Sequence, residues 1–476
     1  MHKKPVFLSV VRFCIAGMLA CCPFEQTSVL AAHKETIDSA IPVLPPEDGL
    51  ARFDANQRFR GKSLWSLERM IEEAIRTHPK VSGKRAAYDA GRSATSAARY
   101  QYFPAPYIEV QQNGKTGDRV GVFGVQQPLW TVGKLSANLK TAKSSEKSLK
   151  SGIEETQLSL ALSVVNAYQS LLSYHYRIIA QEAGVALLEK YSASMSRRVS
   201  AGVSATIEQS LVDSRLQQSK SDLRFFQIGF QSALDQLQQY IGHSVTRDDI
   251  EYLSRVSSEP LGNLDSILAS AEQRYPSLAR LDFDIETARH QKSYQIAQLF
   301  PTFTLKAEYQ RDLFSTTPST NESSVYVSMV QNFGSGLSTF ANIGGAQAKI
   351  EETAQLKETV KRELRVVVRN EYETCMSSFE RYLLASNTVR SSGDVLASYT
   401  RMFIAGKRSW LDVLNAAREF IQNEVSRGDV LSAYWGSYYR LRLYDAGFEP
   451  FSSGVQTSGM QSEPDLQPEP VFSVRK

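Results

Sequence analysis

Cysteine is almost missing from this chain of 476 residues: there are four, and Cys14, Cys21 and Cys22 crowd at the N-terminus. Cleavage after Ala31 would leave Cys375 alone, which excludes an intrachain disulfide and a cysteine metal cage. Histidine is as scarce. The six, at positions 2, 33, 78, 175, 243 and 290, never fall at metal-ligand spacing, and neither His-Glu-x-x-His nor Cys-x-x-Cys occurs. Gly61-Lys62-Ser63 is no phosphate-binding loop, because Asn56 stands where its first glycine must be. Gly334-Ser335-Gly336 lacks the spacing of a hydrolase nucleophile elbow. No catalytic residue, cofactor or metal site is assigned, and the chain reads as a non-enzyme. A charge of one sign is lacking too: the formal net charge is +4, too small for a nucleic-acid-binding surface. Past residue 32 no uninterrupted apolar run reaches the length of a membrane-spanning helix, so any crossing of a bilayer must use strands of a closed barrel.

The N-terminus reads as a signal peptide over residues 1–32. His2, Lys3 and Lys4 precede an apolar stretch interrupted by Arg12, and Val29-Leu30-Ala31-Ala32 offers a cleavage site. Met18-Leu19-Ala20-Cys21 is a rival, an imperfect lipobox that would leave Cys21 lipidated. Residues 33–62 read as an extended segment and 448–476 as a disordered tail, rich in Ser, Pro, Gln and Gly.

Proline is absent and glycine limited to Gly152 and Gly184 across the 67 residues from Lys134 to Ser200. The apolar residues recur at helical spacing (Leu135, Leu139, Ala142, Leu149 and Ile153, then Leu158, Leu162, Val165, Leu172, Ile179 and Leu187), which predicts one helix roughly 100 Å long. No globular core needs such a rod. Arg197-Arg198-Val199-Ser200-Ala201-Gly202 closes it with basic residues and a glycine suited to a left-handed C-cap, after which a second helical pattern returns. Gly202 is therefore the expected tip of a long hairpin.

The pattern occurs twice. His78-Pro79 and Tyr275-Pro276 stand 197 residues apart, as do Phe103-Pro104 and Phe300-Pro301. Gln127 and Gln331, Asn166 and Asn370, Tyr168 and Tyr372, and Ala201-Gly202 and Ala405-Gly406 are all 204 apart, so the offset changes once, by 7 residues. Repeat one spans residues 63–256, with strands at 107–127, the long helix 134–200 and its tip at 201–204. Repeat two spans 257–447, with strands at 302–330, the long helix 338–404 and its tip at 405–408. Each repeat opens with two helices, expected over 63–77 and 81–100 in the first.

Between helices the period falls from 3.6 to 2. Tyr107, Glu109 and Gln111 alternate with Ile108, Val110 and Gln112, a turn follows at Asn113–Gly117, and residues 119–127 alternate again. The second repeat matches with 302–309 and 324–330. One apolar and one polar face suit a lipid-facing barrel strand and equally a small surface sheet. Trp130 with Gly133, and Phe333 with Gly336, mark the strand-to-helix boundaries.

In these features the chain resembles the TolC-type outer-membrane efflux family over nearly all of residues 63–447. The likeness rests on the Leu-x-x-x-Ile/Leu-x-x-Ala opening before His78-Pro79, the Ala-rich helix ending in Phe103-Pro104, and Gln127-Pro128-Leu129-Trp130 before Gly133. Asn166-Ala167-Tyr168 and the tip Arg-x-x-x-Ala-Gly also match, and most features recur in the second repeat. The resemblance implies a mainly α fold of two tandem structural repeats with a small β part. It implies a homotrimer sharing a 12-stranded outer-membrane β-barrel, set in lipid, above a periplasmic α-helical barrel. It implies as partners a periplasmic adaptor (membrane fusion) protein and an inner-membrane pump of the ABC or RND type. Asp412 then matches the first acidic ring of the periplasmic entrance, Asn415 stands where a second aspartate can occur, and Glu208 holds the corresponding place in repeat one. Ala201, Gly202, Val203, Ala405, Gly406, Lys407 and Arg408 become the adaptor contacts. The implied function is a passive exit duct of a tripartite export system, with type I protein secretion favoured. Multidrug or small-molecule efflux is the alternative, and a periplasmic coiled-coil scaffold is the third reading.

Overall fold

The computed structural model describes residues 64–112, 119–254, 256, 262–312, 322–331 and 338–447. The signal peptide with Cys21, the segment 33–62, the turn at 113–117, Phe333, Gly336 and the tail 448–476 lie outside the described residues.

Repeat one runs α1 (Leu67–Thr77), α2 (Pro79–Tyr100), β1 (Ala105–Gln112), β2 (Arg119–Trp130), α3 (Lys134–Ser200) and α4 (Thr206–Ile241); repeat two runs α5 (Leu264–Arg274), α6 (Pro276–Ala297), β3 (Thr302–Asp312), β4 (Glu322–Val330), α7 (Ser338–Ile404) and α8 (Trp410–Asp445). Helix α1 begins at Leu67 rather than residue 63, because Ser66 caps it by accepting the Arg69 amide at 3.3 Å. Helix α2 starts at Pro79 rather than Val81. A proline at the first helical position loses no hydrogen bond, and His78 Nδ1 accepts the Lys80 amide at 3.1 Å. Strand β2 runs to Trp130, three residues past the expected Gln127. Pro128 is tolerated there because β1 ends its pairing at Ala105, opposite Gln126, and leaves that side of β2 open.

Helices α3 and α7 are each 67 residues long, rods of roughly 100 Å. The upper half of α3 packs between α2 and α6 and its lower half between α4 and α8, while α7 follows α6 above and α8 below. Buried positions of upper α3 are small: Ala137, Ser144, Ser148, Ser151 and Gly152. The expected apolar stripe at Leu135, Leu139, Ala142, Leu149 and Ile153 is only half-buried. Small side chains let three helices approach, and their hydroxyls are satisfied across the seam. Ser148 Oγ donates to Asp284 Oδ1 at 2.5 Å and Ser277 Oγ to Glu155 Oε1 at 2.8 Å, with Arg280 Nε 2.6 Å from Glu155 Oε2 and Nη1 2.8 Å from Asp284 Oδ2.

The main core lies midway down the rods, where α1, α5 and the link between repeats wrap α3 and α8. Tyr168 and Tyr176 there are buried, and their hydroxyls donate to the carbonyls of Glu251 and Leu253 at 2.6 and 2.7 Å. His175 stacks flat on Tyr252, centroids 3.6 Å apart. A separate cluster holds the tip end: Tyr191, Met195, Val212, Leu396, Phe403, Trp410, Val413 and Leu414.

Candidate functional site: the sheet and the hairpin tips

The four strands form one antiparallel sheet in the order β1-β2-β3-β4. Its register puts Pro106, Ile108 and Val110 of β1 on one face with Phe123 and Val125 of β2, Leu305, Ala307 and Tyr309 of β3, and Val325, Val327 and Met329 of β4. Among the described residues nothing covers that face: Ile108 is 73%, Val325 74% and Met329 62% exposed. The opposite face carries Tyr107, Gln126, Lys306, Glu308, Ser324 and Ser328, whose side chains half bury one another. An isolated sheet in water would bury its apolar face and wet its polar one. This sheet leaves its apolar face bare, as a barrel wall in lipid does. Its strands, of 8, 12, 11 and 9 residues, have about the length that crosses a bilayer, and β1 and β4 have free edges among the described residues.

At the lower rim Trp130 is 58% exposed and packs on Phe303 at 5.5 Å between centroids. The chain then turns into α3 through left-handed residues, Val132 at φ +47° and Gly133 at φ +88°. An amphipathic aromatic ring at this level suits the interface between lipid and water.

The two tips share one backbone. After α3 the amides of Gly202 and Val203 donate to Val199 and Arg198 at 3.0 and 2.9 Å; after α7 those of Gly406 and Lys407 donate to Phe403 and Met402 at 2.9 and 2.8 Å. This paired C-cap needs a left-handed residue, and Gly202 has φ +71° and Gly406 φ +69°. Ala201, Gly202, Ala405, Gly406, Lys407 and Arg408 are exposed and Val203 half-buried. Behind the tips lie residues that sequence patterning missed. Trp410 is 2% exposed and packs on Phe403 and Tyr191 at 4.9 and 5.3 Å. The Arg198 guanidinium sits 4.9 Å over Phe403 and its Nε donates to Ser204 at 3.2 Å, tying the first tip to α7. A tryptophan opening a helix carries no periodic signal, and a basic residue in a last turn reads only as a cap.

Glu208 and Asp412 occupy the same place, the third residue of α4 and of α8, yet differ in surroundings. Ser409 makes a capping box with Asp412: Asp412 N donates to Ser409 Oγ at 3.2 Å and Ser409 N to Asp412 Oδ2 at 3.3 Å. Arg408 Nη1 stands 3.7 Å from Asp412 Oδ2. The Ser409 hydrogen bonds, helped by Arg408, hold this carboxyl below its usual range. Ala205, the corresponding cap before Glu208, offers no side-chain acceptor. Asn415 is exposed one turn further along α8.

No helix among the described residues is long and apolar enough to cross a membrane. Among them, too, no group of three or more His, Cys, Asp or Glu is placed to hold a metal ion. The profile of the outer membrane efflux protein family matches residues 70–243 and 267–443, one segment in each repeat. The chain belongs to the outer membrane efflux protein family. It is accordingly an outer-membrane protein of the efflux-channel class, built as two tandem repeats of long helices and strand pairs. A search among curated proteins returns no match. Solved structures share the fold at low identity. The outer-membrane channel OprN superposes with a TM-score of 0.71 at 18% identity, covering 82% of this chain and 93% of its own. The outer membrane protein VceC from Vibrio cholerae gives 0.69 at 16%, covering 80% and 97%. The CmeC outer membrane channel of Campylobacter jejuni gives 0.67 at 12%, covering 80% and 85%.

Proposed function

We propose that three copies of this chain form a passive exit duct, their sheets closing one 12-stranded barrel and their long helices a tunnel beneath it. The observation that carries this reading is the sheet with its apolar face bare and both edges open. Four strands cannot close on themselves, and association abolishes the edges. In this assembly Asp412, with Asn415 and Glu208 beside it, lines the periplasmic entrance. The Gly202 and Gly406 tips, with their exposed neighbours Ala201, Val203, Ala405, Lys407 and Arg408, meet a periplasmic adaptor that links the duct to an inner-membrane pump. Residues 1–32 are the export signal. Trp130 and Gly133 sit at the rim of the barrel.

For the cargo we favour type I protein secretion, on the likeness around Gln126-Gln127-Pro128-Leu129-Trp130. Small-molecule efflux is the second reading, in keeping with the efflux protein family whose profile matches both repeats. A passive duct takes its selectivity from the pump, so cargo is decided in cells. Deleting the gene and comparing secreted proteins with susceptibility to toxic compounds separates the two. Loss of one or a few secreted proteins with unchanged susceptibility supports type I secretion. Increased susceptibility with an intact set of secreted proteins overturns it in favour of efflux.

A further inference from the structure

On the polar face of the sheet one side chain reaches across two strands. Tyr107 on β1 pairs in register with Gly124 on β2, and Gly124 with Glu308 on β3. The Tyr107 ring lies flat over Gly124, where any Cβ would overlap it, and its hydroxyl donates to Glu308 Oε1. From the other side the Tyr326 hydroxyl on β4 donates to the same oxygen at 2.8 Å. Lys306, opposite Tyr326, places Nζ 3.8 Å from Glu308 Oε1 and 5.7 Å over the Tyr107 ring. The Glu308 side chain is thereby only 10% exposed, the Lys306 side chain 29%. Glu109 and Glu322 lie exposed in the next row of the same face.

We propose that Tyr107, Lys306, Glu308 and Tyr326 form a clamped, charge-balanced aromatic belt inside the barrel, which keeps this row of the lumen wall electrically neutral to passing ions. The inference rests on the barrel reading, since the apolar face must meet lipid for this face to meet the lumen. A carboxylate pinned by two phenol hydroxyls beside an ammonium contributes almost no net field to passing ions, whereas either charge alone contributes fully. The two tyrosine rings screen the pair from the lumen. The glycine beneath Tyr107 makes the clamp possible, because a side chain at position 124 would lift the ring and free the carboxylate.

The test is the reversal potential of purified wild-type and variant channels in planar bilayers, under a potassium chloride gradient at low ionic strength where wall charges are least screened. Glu308→Gln leaves Lys306 unbalanced and shifts selectivity toward anions. Lys306→Gln leaves Glu308 unbalanced and shifts it toward cations. Tyr107→Phe, which keeps the ring and removes one donor, shifts it toward cations by less than Lys306→Gln. Opposite shifts for the two charge variants support the belt, because a purely structural role would not reverse sign between them. Unmoved potentials, or shifts of one sign, overturn it and leave the duct standing. A wild-type protein that forms no channel overturns the duct and the belt together.

Discussion

Trp410 is the residue whose removal reads out the architecture of the tip most directly. It opens α8, is 2% exposed, and fills the space between the ends of α3 and α7 against Tyr191 and Phe403. Trp410→Ala empties that space, and losses for such truncations run about 3–5 kcal/mol. Its Nε1 has no hydrogen-bond partner among the described residues. Trp410→Phe therefore removes a buried unsatisfied donor, which offsets part of the smaller cavity, and should cost within about 1–2 kcal/mol. The tip cluster is separate from the core midway down the rods, so the damage should stay local. Hydrogen exchange should speed by about two hundredfold to several thousandfold in residues 187–216 and 396–417 of the Ala variant while residues 158–178 keep their protection. Uniform loss of protection, or none in the tip segments, would refute the separation of the two cores.

Three further outcomes follow from the same geometry. Gly406→Leu forces a side chain into φ +69° where a Cβ meets nothing within 4 Å, so the cost is backbone strain of about 1–2 kcal/mol; crosslinked trimers should persist while export in cells is lost. Asp412→Asn keeps an oxygen for the Ser409 amide but removes the charge that Ser409 and Arg408 favour, so divalent-cation block of single-channel current should weaken with only a small loss of thermal stability; unchanged block contradicts the entrance assignment. His175 has Nδ1 sealed from solvent and without a hydrogen-bond partner among the described residues, and burial, with Arg247 nearby, pushes its pKa from 6.5 down to about 3. A depressed histidine stabilises the fold in its neutral form, so the contribution is complete above pH 6.5 and is lost as pH falls toward about 3. Denaturant midpoints of the detergent-solubilised protein should fall over that window, and His175→Phe should flatten the fall.

Much of this fold is legible in the sequence because its signals are repeated and long. The absence of proline across residues 134–200 and the 204-residue offset place α3, α7 and both tips where the chain puts them. The family resemblance points to Asp412, and the equal six-residue interval after each tip glycine to Glu208, but the capping box at Asp412 depends on Ser409, which Ala205 replaces in repeat one. The small buried face of upper α3 is hidden because Ser144, Ser148 and Ser151 read as solvated, and only the α6 partners of Ser144 and Ser148 show otherwise. The clamp at Glu308 is hidden for a different reason. Alternation assigns Tyr107 and Glu308 to the polar face, but their meeting depends on the β1-β2-β3 register and on Gly124 lying between them.

The central claim is that three chains close one barrel above one tunnel. Electron microscopy of the protein extracted from outer membranes in detergent, with chemical crosslinking to count subunits, tests it most directly. The account predicts a threefold cylinder whose helical shaft is roughly 100 Å long beneath a barrel within the detergent belt. A water-extractable rod without a barrel, or a barrel closed by any number of chains other than three, would contradict it.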